Sequence, residues 1–338
     1  MGRIDLIGRW VVVIMAPLSW QQAMAQNGRP RPDVAEARYG HHDYNTLDLW
    51  KAKSASGSRT PLVVYIHGGG FQGGDKKEIP EALLAECLGS GISVASINYR
   101  LTDVARFPAP MHDGARAIQF LRSESDRWGL DPNRFAASGS SAGAGIALWV
   151  GFHDDLADPN ADDPVARKST RLSCIGVVRA QTSYDPRFIK KRIGGRAHEH
   201  PALRPFFGLK PNESLGSPHL YPLYERASAI NYATPDDPPV FLYYQDSKVP
   251  LTDNDEPGRG IHHRNFGVAL REVLEPLGVE CIIRHRGDYR DGEAVPKAVN
   301  HEMVDFFRKR FLLSIGDAKP VDIPGHGKLN SRLPRVDR

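Results

Sequence analysis

The stretch Gly139-Ser140-Ser141-Ala142-Gly143 constrains this chain more than any other. The residues before it, 134–138, read as a short strand, and Ala144 to Val150 read as a helix that opens on small residues. A strand that turns at once into a helix forces its central residue into a strained backbone, and side chains on the flanking glycines would collide. The hydroxyl of Ser141 then stands exposed above a sheet. It lies beside a helix N-terminus whose free N–H groups favour developing negative charge. A glycine- and serine-rich turn without chemistry has the same local spelling, so partners elsewhere in the chain must decide.

The apolar runs and their spacing supply a framework. Residues 37–40 and 46–50 read as two short strands joined by a polar turn. Leu62 to Ile66, after Pro61, is a near-continuous apolar run, the look of a strand buried on both faces of a parallel sheet. Further strands are expected at 92–99, 174–180, 239–244 and 279–284, with helices at 76–88, 111–128, 264–277 and 302–313 between and after them. Asp113, in the first turn of the second helix, reads as a residue that compensates the helix dipole. This alternation predicts an α/β fold with a mostly parallel central sheet flanked by helices. Residues 185–235 lack clean periodicity but carry Phe188, Phe206, Phe207, Tyr221 and Tyr224. They read as an insertion forming a lid or pocket wall.

In such sheets sites form at the carboxyl ends of the strands. The buried strand 62–66 ends in His67-Gly68-Gly69-Gly70-Phe71. Three consecutive glycines cost chain entropy unless bare backbone must approach something closely. The N–H groups of Gly69 and Gly70, with that of Ala142 after the serine, are the expected donors to an oxyanion. A serine hydroxyl also needs a base to take its proton and a carboxylate to orient that base. Asp246 stands just past the strand at 239–244 and is the expected acid, ahead of Asp253 and Asp255. Of the thirteen histidines, His301 follows the last strand at the head of the last helix. It is therefore the expected base, completing the chain order Ser141, Asp246, His301. His262 and His263 read instead as the start of a helix before that strand.

These residues resemble an esterase of the hormone-sensitive-lipase/carboxylesterase-like group with the α/β-hydrolase fold. The matching segments are His67–Phe71, Asn98-Tyr99-Arg100-Leu101, Phe107-Pro108-Ala109-Pro110 with Asp113, and Gly139–Gly143. Asp246-Ser247-Lys248-Val249-Pro250 resembles the family's acid segment, and His301 its histidine before the final helix. Tyr39-Gly40 and Leu47-Asp48-Leu49-Trp50 resemble the opening hairpin of secreted esterases related to feruloyl and acetyl esterases. The likeness runs from about Arg38 to Leu313. It implies a serine carboxylic-ester hydrolase acting on a small-molecule ester without a cofactor. A serine peptidase or amidase of the same fold, or a non-catalytic binder that keeps it, are the alternatives.

Composition narrows the rest. A net charge of +4 over 338 residues, with no dense basic run interleaved with aromatics, gives no support to nucleic-acid binding. No metal-ligand spacing such as H-E-x-x-H occurs. Cys87, Cys174 and Cys281 are far apart and read as buried hydrophobes. Residues 1–25 have the layout of a secretory signal peptide: Arg3 and Arg9, a short apolar run from Trp10 to Leu18, and Ala23-Met24-Ala25 as a cleavage site. That run is too short to span about 30 Å of hydrocarbon. The expectation is export to the periplasm or beyond, a hydrolase domain over 37–313 and a loose tail over 314–338.

Overall fold

The computed structural model describes residues 29–312 apart from 55–56, 246–249 and 291–293. The expected signal peptide, the tail and Asp246 therefore lie outside the described residues. Residues 32–312 carry one eight-stranded sheet. Its strands are β1 (Val34–Arg38), β2 (Thr46–Trp50), β3 (Thr60–Ile66), β4 (Ser93–Ile97), β5 (Leu130–Ser140), β6 (Cys174–Val178), β7 (Val240–Tyr244) and β8 (Cys281–His285). Their spatial order is β1-β2-β4-β3-β5-β6-β7-β8. β1 pairs antiparallel to β2 and β2 to β4, while every later pairing is parallel. This is the α/β-hydrolase arrangement expected from the sequence. Strand order reverses around β3, with β4 on one side and β5 on the other. In an open sheet the crevice at such a switch point is where ligands bind.

The helices are α1 (Glu81–Gly89), α2 (Ala109–Ser123), α3 (Ser125–Trp128), α4 (Ala142–Phe152), α5 (Pro186–Arg192), α6 (Leu203–Phe207), α7 (Tyr221–Ala227), α8 (Pro257–Gly260), α9 (Asn265–Leu274) and α10 (Val295–Arg310). Strand residues alternate between two cores because successive side chains leave opposite faces of a sheet. Leu62, Val64 and Ile66 of β3 join the side chains of α2, α4 and α9. Val63 and Tyr65 join those of α1 and α10 on the other face. Every residue of α4 is buried. Its glycines permit this: a Cβ on Gly143 would stand 2.1 Å from the Ile66 carbonyl oxygen, and one on Gly151 2.3 Å from Ile175 Cδ1.

Three expectations change. The helix expected from Glu302 begins at Val295, because Pro296 can occupy a first-turn position where no N–H is needed. Asp113 does not serve its helix terminus. It accepts from the Arg100 backbone N–H (2.9 Å) and pairs with the Arg100 guanidinium (2.7 Å to Nη2), fixing the turn that follows β4. The insertion over 185–235 is a set of short helices, α5 to α7 with intervening 3₁₀ turns. Phe206, Phe207 and Tyr224 from it are buried in the same core as α4. Cys87 and Cys174 are buried free thiols, and Cys281 is a partly buried one. No helix among the described residues is long and apolar enough to cross a membrane.

Candidate active site

The turn from β5 into α4 is the strained elbow that the glycine spacing demands. Ser141 has φ 52° and ψ −118°, a left-handed backbone that costs a non-glycine residue about 1–3 kcal/mol. The surroundings hold it there. The Ser141 N–H donates to the Val178 carbonyl at 3.0 Å, and its carbonyl accepts from Gly145 N–H at 3.0 Å. A Cβ on Gly139 would meet the Ile66 carbonyl oxygen at 2.7 Å. Ala142, the first residue of α4, presents one of the N–H groups that a helix start leaves unpaired.

The glycine loop after β3 runs against this elbow. A Cβ on Gly68 would lie 3.0 Å from the Ser140 carbonyl oxygen and 3.5 Å from Ser141 Cβ. Gly69 adopts φ +102°, and a Cβ there would strike the Gly73 carbonyl oxygen at 2.1 Å. His67 braces the loop. Its buried ring stacks on Tyr99 with centroids 4.4 Å apart, and its Nδ1 lies 2.8 Å from the Gly68 carbonyl oxygen. Tyr99 Oη donates to the carbonyls of His67 and Gly68, each at 3.1 Å. Gly69, Gly70, Ser141 and Ala142 line one cavity of about 390 Å³. The structure therefore brings together the serine and the three expected donor residues.

It does not bring His301. That residue lies inside α10, on the far side of the sheet from the elbow, and its side chain is 55% exposed. Its Nδ1 sits 2.5 Å from Glu86 Oε1 of α1. The imidazole that reaches the serine belongs to His262, whose Nε2 is 2.8 Å from Ser141 Oγ. His262 lies between α8 and α9, upstream of β8. It is held there by side chains that continue from β6. Gln181 Nε2 donates to the Ile261 carbonyl (2.8 Å) and Thr182 Oγ1 to the Phe266 carbonyl (2.9 Å). His262, like His301, follows both Ser141 and Asp246 in the sequence. The signal in the sequence was the length of the connection over 245–280, more than a single crossover helix requires.

Burial, then Arg179, then His200 lower the pKa of His262 from 6.5 to about 4. A low-polarity setting and the cationic Arg179 both disfavour the imidazolium. His262 is therefore neutral near pH 7, the state in which its Nε2 can accept the serine proton. No carboxylate among the described residues is a charged influence on it. The cavity wall is completed from the insertion, which the sequence did not resolve residue by residue. His200, Ala202, Leu203 and Phe206 line it, and Phe206 stacks on Phe71 with centroids 4.1 Å apart. Arg179 and Gln181, just beyond β6, form its polar side.

A mostly parallel sheet of this strand order, with a serine on a left-handed elbow at its switch point and an imidazole against the hydroxyl, defines an α/β hydrolase. The chain belongs to the BD-FAE family, whose sequence model matches residues 47–256. The matched stretch includes the glycine loop, Ser141 and Asp246, and ends before His262. Esterase LipQ of Mycobacterium tuberculosis is 26% identical over 234 residues, 68% of this chain and 50% of that protein. Carboxylesterase NlhH of the same species is 34% identical over 100 residues, covering 29% of this chain and 31% of that one. The chain thus spans half or less of the length of these curated relatives. Among solved structures, an acetyl ester-xyloside bifunctional hydrolase from Caldicellulosiruptor lactoaceticus superposes with a TM-score of 0.61 at 26% identity. That match covers 80% of this chain and 89% of the other. A truncated carbohydrate esterase from gut microbiota shares the fold at a TM-score of 0.63 and 17% identity, over 86% and 99% of the two chains.

Proposed function

We propose that this protein is a serine carboxylic-ester hydrolase that works through an acyl-enzyme. The observation that carries the reading is the 2.8 Å contact between Ser141 Oγ and the neutral His262 Nε2 at the mouth of the glycine loop. Ser141 attacks the ester carbonyl as His262 takes its proton. The carbonyl oxygen becomes an oxyanion held by the N–H groups of Gly69, Gly70 and Ala142. One such donor contributes about 3–4 kcal/mol to lowering the barrier. The imidazolium then gives its proton to the departing alcohol. Water, deprotonated by the same imidazole, releases the acid and restores the serine. Asp246 remains the candidate for orienting His262 Nδ1, since it follows β7 and precedes His262 in the chain.

The esterase names of the relatives support ester over amide substrates. A cavity of about 390 Å³ suits a small-molecule ester, given that ligand pockets span roughly 300–1,000 Å³. We assign the protein to the exported fraction on the pattern of residues 1–25. The test is hydrolysis of short p-nitrophenyl acyl esters with labelling by a fluorophosphonate. Wild-type protein is expected to do both, with the label on Ser141. Ser141→Ala is expected to lose both, with turnover down by at least about 10³-fold. Full turnover in that variant would remove the assignment.

A further inference from the structure

Several buried or half-buried cations among the described residues are well partnered. Lys76 Nζ, 2% exposed with its side chain, meets Glu36 Oε1 at 2.6 Å and Asp48 Oδ2 at 2.9 Å. Arg100 is paired with Asp113. The Arg122 guanidinium is spread over the carbonyls of Pro132, Ser169 and Arg171. Arg179 is different. It lines the cavity, its Nη2 donates at 3.2 Å to Ser140 Oγ, and its Nε is sealed from solvent with no hydrogen-bond partner. Among the described residues no ion pair to it exists and no Asp or Glu lines the cavity. Its backbone is held at φ 56°, a left-handed conformation that costs a residue with a Cβ roughly 1–2 kcal/mol. A second orphaned group borders the same space: Tyr184, 4% exposed, keeps an unpartnered Oη.

A guanidinium carries five donors in a flat fork that matches a carboxylate, and a half-buried charge left without an anion is costly. Ser140 uses one donor and is the immediate neighbour of Ser141. Arg179 thus lines, beside the elbow, the cavity in which the ester carbonyl must lie, with guanidinium donors to spare. We propose that Arg179 is a specificity-determining residue that pairs with a carboxylate carried by the substrate, so that the preferred substrates are acidic esters. This rests on the esterase reading above.

The carboxylate can sit on the acyl half or on the alcohol half, and the assay separates the two. The half-ethyl ester of succinic acid is compared with ethyl succinamate, and acetylglycolate with acetylglycolamide, by titration of released acid. A hydrogen-bonded charge pair is worth roughly 10- to 100-fold. Wild-type kcat/KM is expected to favour the charged member of one pair by that factor, and the pair that responds identifies the half. Arg179→Gln is expected to bring the ratio close to one, and Arg179→Lys to restore part of it. Wild-type enzyme with equal kcat/KM on both members of both pairs would overturn the proposal and leave the esterase reading standing. No hydrolysis of any ester would remove both. Should Arg179→Gln not fold, wild type still decides. Succinate is expected to inhibit neutral-ester hydrolysis competitively and more strongly than succinamide, and equal inhibition would overturn the proposal.

Discussion

The elbow and the segment that carries His262 meet across 2.8 Å yet are built on different terms. At the elbow, backbone packs on backbone. Gly143 lies so close to β3 that an added methyl would stand 2.1 Å from one carbonyl oxygen and 2.4 Å from the next. Nothing but glycine satisfies that geometry, so the requirement is written into residue type and spacing. The segment over 257–266 is held instead by side chains reaching across from the end of β6, and its functional act is the reach of one imidazole. Many sequences could make that reach, so it leaves no fixed spelling. A site can therefore be half determined by what must be absent, a Cβ, and half by where a connecting segment is pinned.

The sharpest way to break this contrast is to exchange the two histidines in question. His262→Ala is expected to lower kcat/KM on short acyl esters by at least about 10³-fold, as loss of a serine enzyme's base does. A small loss would mean that another group takes the serine proton. Next comes the elbow itself. Gly143→Ala is expected to cost more than about 4 kcal/mol in chemical denaturation, because the blocking atoms are backbone and cannot swing away. A melt within a degree or two of wild type would show that β3 and α4 can part without penalty.

The acid limb of the pH–rate profile comes third. With His262 lowered to about 4, kcat/KM is expected to fall to half near that pH and not near 6.5, because protonation removes the base. The same shift acts on stability. The folded state takes up the proton at lower pH than the unfolded chain, so the contribution is whole above pH 6.5 and is lost as pH falls toward 4. An acid limb near 6.5 would mean that the imidazole at the serine is solvated or paired with a carboxylate such as Asp246. The smallest effect is expected from His301→Ala. Its half-exposed pairing with Glu86 is worth no more than about 1 kcal/mol, and turnover should stay within about twofold of wild type, read in the same ester assay.

The sequence made the sheet legible wherever apolar residues run unbroken, as at Leu62–Ile66 and 240–244, since strands buried on both faces have no polar side to confuse the pattern. It made the Ser141 elbow and the glycine loop packed against it legible through glycine. It misplaced the histidine because chain order admits any imidazole after Asp246, and the preference for a position beyond the last strand is a family habit with no steric compulsion behind it. The polar look of 287–300 hid the start of α10, although Pro296 marked it. Asp113 was read from its own helix alone, whereas its partner, Arg100, comes from the preceding turn. In each case the missing information was tertiary: which distant atoms a side chain meets.

The serine's partner lies upstream of β8. In the proposed chemistry no reacting group comes from the final strand or the helix after it, and that last stretch acts as a buttress clamped against α1. Injury there should surface as less soluble protein of undiminished specific activity.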